Sequence, residues 1–151
     1  MPATESLSET KLQIRRSFSA PREKVFRAWT EPEALKAWCA PSDEYSVPTA
    51  EVDLRVGGKY HIAMKAPDGN MYVAVGSYRE IQFPEKLVFS WFWEGGDPHE
   101  TVVTIEFMQK GKGTEMVLTH EFFPNKEQRD RHQHGWEGCT ARLENYLEKV
   151  A

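Results

Sequence analysis

A chain of 151 residues has the size of one domain and can bury about 70% of the surface that its unfolded form exposes. Its formal net charge of −4 supplies no broad basic field, which argues against nucleic acid and anionic membranes as partners. The polar start MPATESLSET is not a secretory leader, no later run reaches the length of a membrane span, and the two distant cysteines, Cys39 and Cys139, lack metal-type spacing; we expect buried, reduced thiols in a cytoplasmic protein.

The first ten residues read as a flexible start to a single domain spanning 1–151. KLQIRRSF then alternates Leu12, Ile14 and Arg16 against Gln13, Arg15 and Ser17, as a half-buried strand does. Pro21 opens a short helix in which Val25, Phe26 and Trp29 share a stripe. Thr30-Glu31-Pro32-Glu33 has the form of a capping box, and Leu35 and Trp38 mark a second short helix ending near Cys39. From residue 45 to 123 the pattern is that of strands and turns. Val52, Leu54 and Val56 alternate up to Gly57-Gly58, and Tyr60, Ile62 and Met64 resume the alternation as the return arm of a hairpin. Turns at Asp68-Gly69-Asn70, Phe83-Pro84-Glu85-Lys86, Gly95-Gly96-Asp97-Pro98 and Gly111-Lys112-Gly113 separate strands over 71–82, 87–93, 103–107 and 116–122. Short connections between successive strands make the sheet antiparallel.

Asn125 is placed to cap a long final helix, in which Trp136, Cys139, Thr140, Leu143, Tyr146, Leu147 and Val150 recur at steps of three and four. Spanning 125–150, it would be about 39 Å long, a length suited to lying across a strongly curved sheet. Gly135 and Gly138 weaken it by about 1 kcal/mol each and suggest a bend or a close backbone approach. The element order implies an α+β domain with helices on one side of an antiparallel sheet.

The segments SAPREKVFRAWTEPEALKAW, DLRVGGKY, GSYREIQFPEKLVFSW, TEMVLTHEFF and GWEGCTARLENYLEKV, in this order, resemble the helix-grip superfamily of START lipid-transfer domains and birch-pollen-allergen proteins. Within it they are most similar to the family named after the activator of the 90-kDa heat-shock protein ATPase. The resemblance runs from about residue 12 to 150. It implies a curved seven-stranded antiparallel sheet wrapped around the C-terminal helix, two short helices after the first strand, and a cavity that receives an apolar ligand. In the family's namesake the domain follows a separate N-terminal domain, whereas here the first strand begins near residue 11.

The densest ring surface lies in LVFSWFW, where Leu87, Phe89, Trp91 and Trp93 share one face of a strand. By the family pattern that face is concave. It would be met by Val103, Ile105 and Phe107, by Met116, Leu118, His120 and Phe122, by Trp136 and Leu143 from the long helix, and by Trp38 from the second short helix. The expected ligand-binding set is therefore Trp38, Phe89, Trp91, Trp93, Ile105, Phe107, Leu118, His120, Trp136 and Leu143, mainly apolar as small-molecule pockets are. The same rings could equally close the space themselves.

His120 is the titratable group expected in the middle of this wall, either a general base near neutral pH or a core histidine satisfied by a partner. His132 and His134 cannot chelate together at a spacing of two on a helix. His132 is placed near the pocket mouth, and both are read as facing solvent. Glu51, Asp53 and Arg55 form an outward charged row. No nucleophile elbow, P-loop, dinucleotide fingerprint, zinc-protease helix or dithiol motif occurs, so no catalytic residue, metal or cofactor is assigned. Three functions compete. The first is binding or carriage of a small aromatic or acyl ligand by a monomer or homodimer. The second is regulation of a chaperone ATPase through the outer surface, a stress-response role. The third is a cyclase or hydrolase using polar pocket residues such as His120.

Overall fold

In the computed structural model, residues 9–96 and 99–150 are described; the turn residues Asp97 and Pro98 and most of the expected flexible start lie outside them. The order is β1 (Lys11–Phe18), α1 (Arg22–Thr30), α2 (Pro32–Trp38), β2 (Ser46–Val52), β3 (Lys59–Lys65), β4 (Met71–Gln82), β5 (Lys86–Trp93), β6 (Thr101–Lys110), β7 (Gly113–Glu121) and α3 (Lys126–Val150). The strands form one seven-stranded sheet in the order β1-β7-β6-β5-β4-β3-β2, antiparallel at every pairing. The architecture is the curled sheet and long C-terminal helix of a helix-grip fold.

Helix α3 is fixed at both ends and in its middle. Asn125 Oδ1 accepts the backbone N–H of Gln128 at 2.9 Å, which satisfies one of the donors that a helix start leaves open. Glu144 takes a 2.7 Å ion pair from Arg16 on β1. Between them, Gly138 allows the close approach that the sequence suggested, because a Cβ there would stand 2.0 Å from the Pro41 carbonyl oxygen. Arg142 donates to the carbonyls of Ala37, Trp38 and Ser42 and to the Asp43 carboxylate. One guanidinium thereby ties the chain after α2 to α3.

Three local expectations are corrected. The capping box does not form: the Thr30 hydroxyl donates back to Phe26 O at 3.1 Å, ending α1 instead of starting α2, and Pro32, which has no N–H, leaves one donor fewer open in the first turn of α2. The strand before Gly57-Gly58 ends at Val52, leaving Leu54 44% and Val56 66% exposed. Here a backbone loop overrides the alternation: Asp53 N bonds Lys59 O, Gly58 N bonds Arg55 O, and Gly57 takes a φ of 86°. Asp53 and Arg55 pair with each other within this loop at 2.9 Å and are not part of a strand row.

The third correction bears on the site. Phe122 was expected on the inner face in step with Met116, Leu118 and His120, yet it is 58% exposed while Phe123 is 3% exposed. Phe122 has φ 72°, and this left-handed residue at the strand exit breaks the two-residue alternation. Phe123 therefore takes the inward place and packs at a tilt against His120, with 4.3 Å between ring centroids.

Candidate functional site

Beneath α3 lies a cavity of about 570 Å³. Its walls come from distant parts of the chain: Gln128, Arg131, His132, Gly135, Trp136 and Cys139 of α3; Trp91, Phe92 and Trp93 of β5; Met64 of β3 and Tyr72 of β4; Cys39, Pro41 and Tyr45 between α2 and β2; and Phe123 and Pro124 after β7. The size and the apolar lining are those of a small-molecule pocket.

Trp91, Trp93 and Trp136, among the residues expected there, face this space. Their rings meet in tilted and edge-on pairs, Trp91 with Trp136 at 5.0 Å and Trp91 with Trp93 at 5.4 Å, the arrangement that indole quadrupoles favour. Trp38, Ile105, Phe107, Leu118 and Leu143 lie instead in the filled core and are not on the wall of the cavity. Trp38 donates its indole N–H to Ala28 O at 2.9 Å and packs edge-on against Trp29, so its role is to seat α2 on α1. Phe89 borders a separate void of about 20 Å³ shared with Trp29 and Trp91.

His120 is fully buried behind the tryptophan wall, and both ring nitrogens are engaged. Trp136 Nε1 donates to His120 Nδ1 at 3.0 Å. Nε2 must then carry the proton, and it meets Thr101 Oγ1 at 2.7 Å, whose hydroxyl donates onward to Trp91 O at 2.9 Å. The network is closed in the neutral state, and burial, reinforced by the nearby His132, pushes the imidazole pKa well below its usual 6.5. A general-base role would require breaking one of these bonds first.

His132 does not face solvent. It is half-buried on the cavity wall, donates from Nδ1 to Gln128 O at 2.8 Å and accepts the Trp93 indole N–H at Nε2 across 2.9 Å. Burial lowers its pKa as well. Each histidine thus pins one tryptophan of the wall. His134, two residues on, is exposed, as the helix period requires.

Several lining residues were outside the expected set, because local periodicity does not say which residues meet the opening. Cys39, Pro41 and Tyr45 belong to an irregular connection, and Met64 and Tyr72 lie on strands whose face assignment depends on the sheet's curl. Cys39 and Cys139, whose isolation in the sequence points to interior thiols, are both buried and free. They also border the cavity, with burial pushing the Cys39 thiol up to about 12. Among the described residues, no group of three or more His, Cys, Asp or Glu is placed to hold a metal ion, and no helix is long and apolar enough to cross a membrane.

Comparison with known proteins places this geometry in context. A family model described as "Activator of Hsp90 ATPase homolog 1-like protein" matches residues 19–148. The chain is similar to a protein from Nitrosomonas europaea at 27% identity and TM-score 0.81, covering 95% of this chain and 97% of that one. A protein from Chromobacterium violaceum matches at 26% and 0.84, covering 92% and 97%. An AHSA1-like protein from Aeromonas hydrophila matches at 26% and 0.77, covering 93% of each. No curated protein matches the chain significantly.

Proposed function

Because the chain belongs to the activator of Hsp90 ATPase homolog 1-like family, whose helix-grip fold can hold a guest between sheet and helix, we propose that it binds a small apolar ligand, aromatic or acyl in character, beneath α3. One observation carries the reading: about 570 Å³ stays open among Trp91, Trp93, Trp136, Met64 and Phe123 in a protein whose neighbouring core is filled. A folded chain that leaves this much apolar wall unburied forgoes about 25 cal/mol for each Å² that a guest would cover. The wall is also preset, since Trp93 and Trp136 are each held by a histidine, and a preset wall lowers the ordering cost of binding.

Native mass spectrometry of freshly purified protein, followed by titration of N-phenyl-1-naphthylamine with tryptophan emission as the readout, tests the proposal. Micromolar binding that weakens in a Gly135→Trp variant is expected, because Gly135 borders the cavity with nothing within 4 Å of its would-be Cβ. Silence across a panel of aromatic and acyl compounds would refute it.

The family description favours a second reading, regulation of a chaperone ATPase through the outer surface. Its test is independent of the cavity: the turnover of a purified heat-shock ATPase rises on addition of this chain, or the reading fails. A hydrolase or cyclase working through His120 has less support, because both nitrogens of that ring are already bonded.

A further inference from the structure

The void of about 20 Å³ lies against the cavity, with Cys39, Trp91 and Trp136 bordering both spaces. It exceeds the roughly 10–15 Å³ that one water-sized oxygen needs. Trp29 and Trp91 both line it, at 4% and 5% exposure, and the indole N–H of each is buried without a hydrogen-bond partner. On the cavity wall, among the described residues, Trp91 Nε1 is the one such buried atom. Buried donors are ordinarily paired, and an unpaired one marks a place where a partner is missing. Two unpartnered indole donors therefore belong to residues that border one small void, beside Cys39, Tyr60 and Tyr78, and make it a donor-rich corner in a chain whose other tryptophans, Trp38, Trp93 and Trp136, have all found acceptors.

We infer that this corner is an acceptor subsite, in which the indole N–H groups of Trp29 and Trp91 receive the neutral carbonyl-type oxygen of a ligand whose apolar body occupies the main cavity. The inference rests on the ligand-binding reading above and narrows it to ketones, aldehydes, esters and amides on an aromatic or acyl frame. A carboxylate is disfavoured at this end, since no Lys, Arg or His lines the void and a buried charge needs a partner. A plain hydrocarbon would leave both donors unmet, so the site discriminates by hydrogen bonding as well as by shape.

The test uses the full chain and two probes of matched shape, 2-acetylnaphthalene and 2-isopropenylnaphthalene, which differ by a carbonyl oxygen against a methylene. Dissociation constants are measured alongside the ¹H–¹⁵N resonances of the indole groups. The acetyl compound is expected to bind about tenfold more tightly, the size of one good hydrogen bond to a buried donor, and to move the Trp29 and Trp91 indole signals downfield while the isopropenyl compound does not. In Trp29→Phe and Trp91→Phe variants the ratio of the two constants falls toward one. Equal binding of the two probes to the unaltered chain, as a retained water in the void would produce, overturns the inference and leaves the ligand-binding reading standing; so does a ratio that survives both substitutions. Failure of both probes to bind a chain that does bind N-phenyl-1-naphthylamine also overturns the inference, and silence across the wider panel removes the ligand-binding reading too. Where a variant does not fold, the indole shifts in the unaltered chain decide.

Discussion

Trp136 of the C-terminal helix donates its indole N–H to Nδ1 of His120 on β7 across 3.0 Å, in a part of the core where neither group reaches water. The bond fixes the imidazole tautomer, sets the direction of the Thr101 hydroxyl, and holds the Trp136 ring as a wall of the cavity. Trp136→Phe keeps most of the ring and deletes the donor, leaving Nδ1 as a buried acceptor without a partner. Urea unfolding should show a loss of about 1–3 kcal/mol, with an unchanged m-value if the fold is retained.

Stability should also depend on pH through this histidine. The folded-state pKa of His120 lies well below 6.5, so the unfolded chain binds the proton first as pH falls. The stabilising preference for the neutral ring is complete above about pH 6.5 and is lost progressively below it, by up to about 1.4 kcal/mol per pH unit. His132, lowered in the same direction, adds to the slope. Thermal unfolding between pH 7.5 and 5.5, above the range of ordinary carboxylates, should show the midpoint dropping; a flat profile would mean that the imidazole is not held neutral.

The two glycines of α3 should respond oppositely to alanine. At Gly135 an added Cβ meets nothing within 4 Å, so Gly135→Ala should gain about 1 kcal/mol from helix propensity. At Gly138 the same atom would stand 2.0 Å from Pro41 O, so Gly138→Ala must push the helix away from the chain after α2 and should lose more than 1 kcal/mol. Calorimetry of the pair checks both signs.

Arg142 offers a fourth test. Its guanidinium donates to three carbonyls and a carboxylate between Ala37 and Asp43, the segment that brings Cys39 and Pro41 to the cavity. Arg142→Lys keeps the charge but lacks the fork, so we expect a loss of about 1–2 kcal/mol together with faster amide exchange in residues 37–43. Exchange rates equal to those of the unaltered chain would show that the segment is held by other contacts.

The sequence determined what short-range periodicity and chain order can determine. The alternation in KLQIRRSF and in the strand of Phe89 and Trp91, the stripe from Trp136 to Leu147 and the Asn125 cap specified an α+β domain with an antiparallel sheet and one long helix, because side-chain direction in a strand or helix repeats with a fixed period; the helix-grip fold came from the resemblance carried by the motif order. Tertiary structure decided which apolar residues fill the core and which face the opening. Trp38 and Trp136 look alike in sequence, yet one is sealed between helices and the other walls the cavity. That difference is set by the curl of the sheet and the height at which Gly138 and Arg142 seat α3, quantities summed over contacts between residues far apart in the chain. Likewise one left-handed residue, Phe122, exchanged the places of two adjacent phenylalanines. The pairing of His132 with Trp93 could not be read from spacing, since it joins a helix turn to a strand 39 positions away.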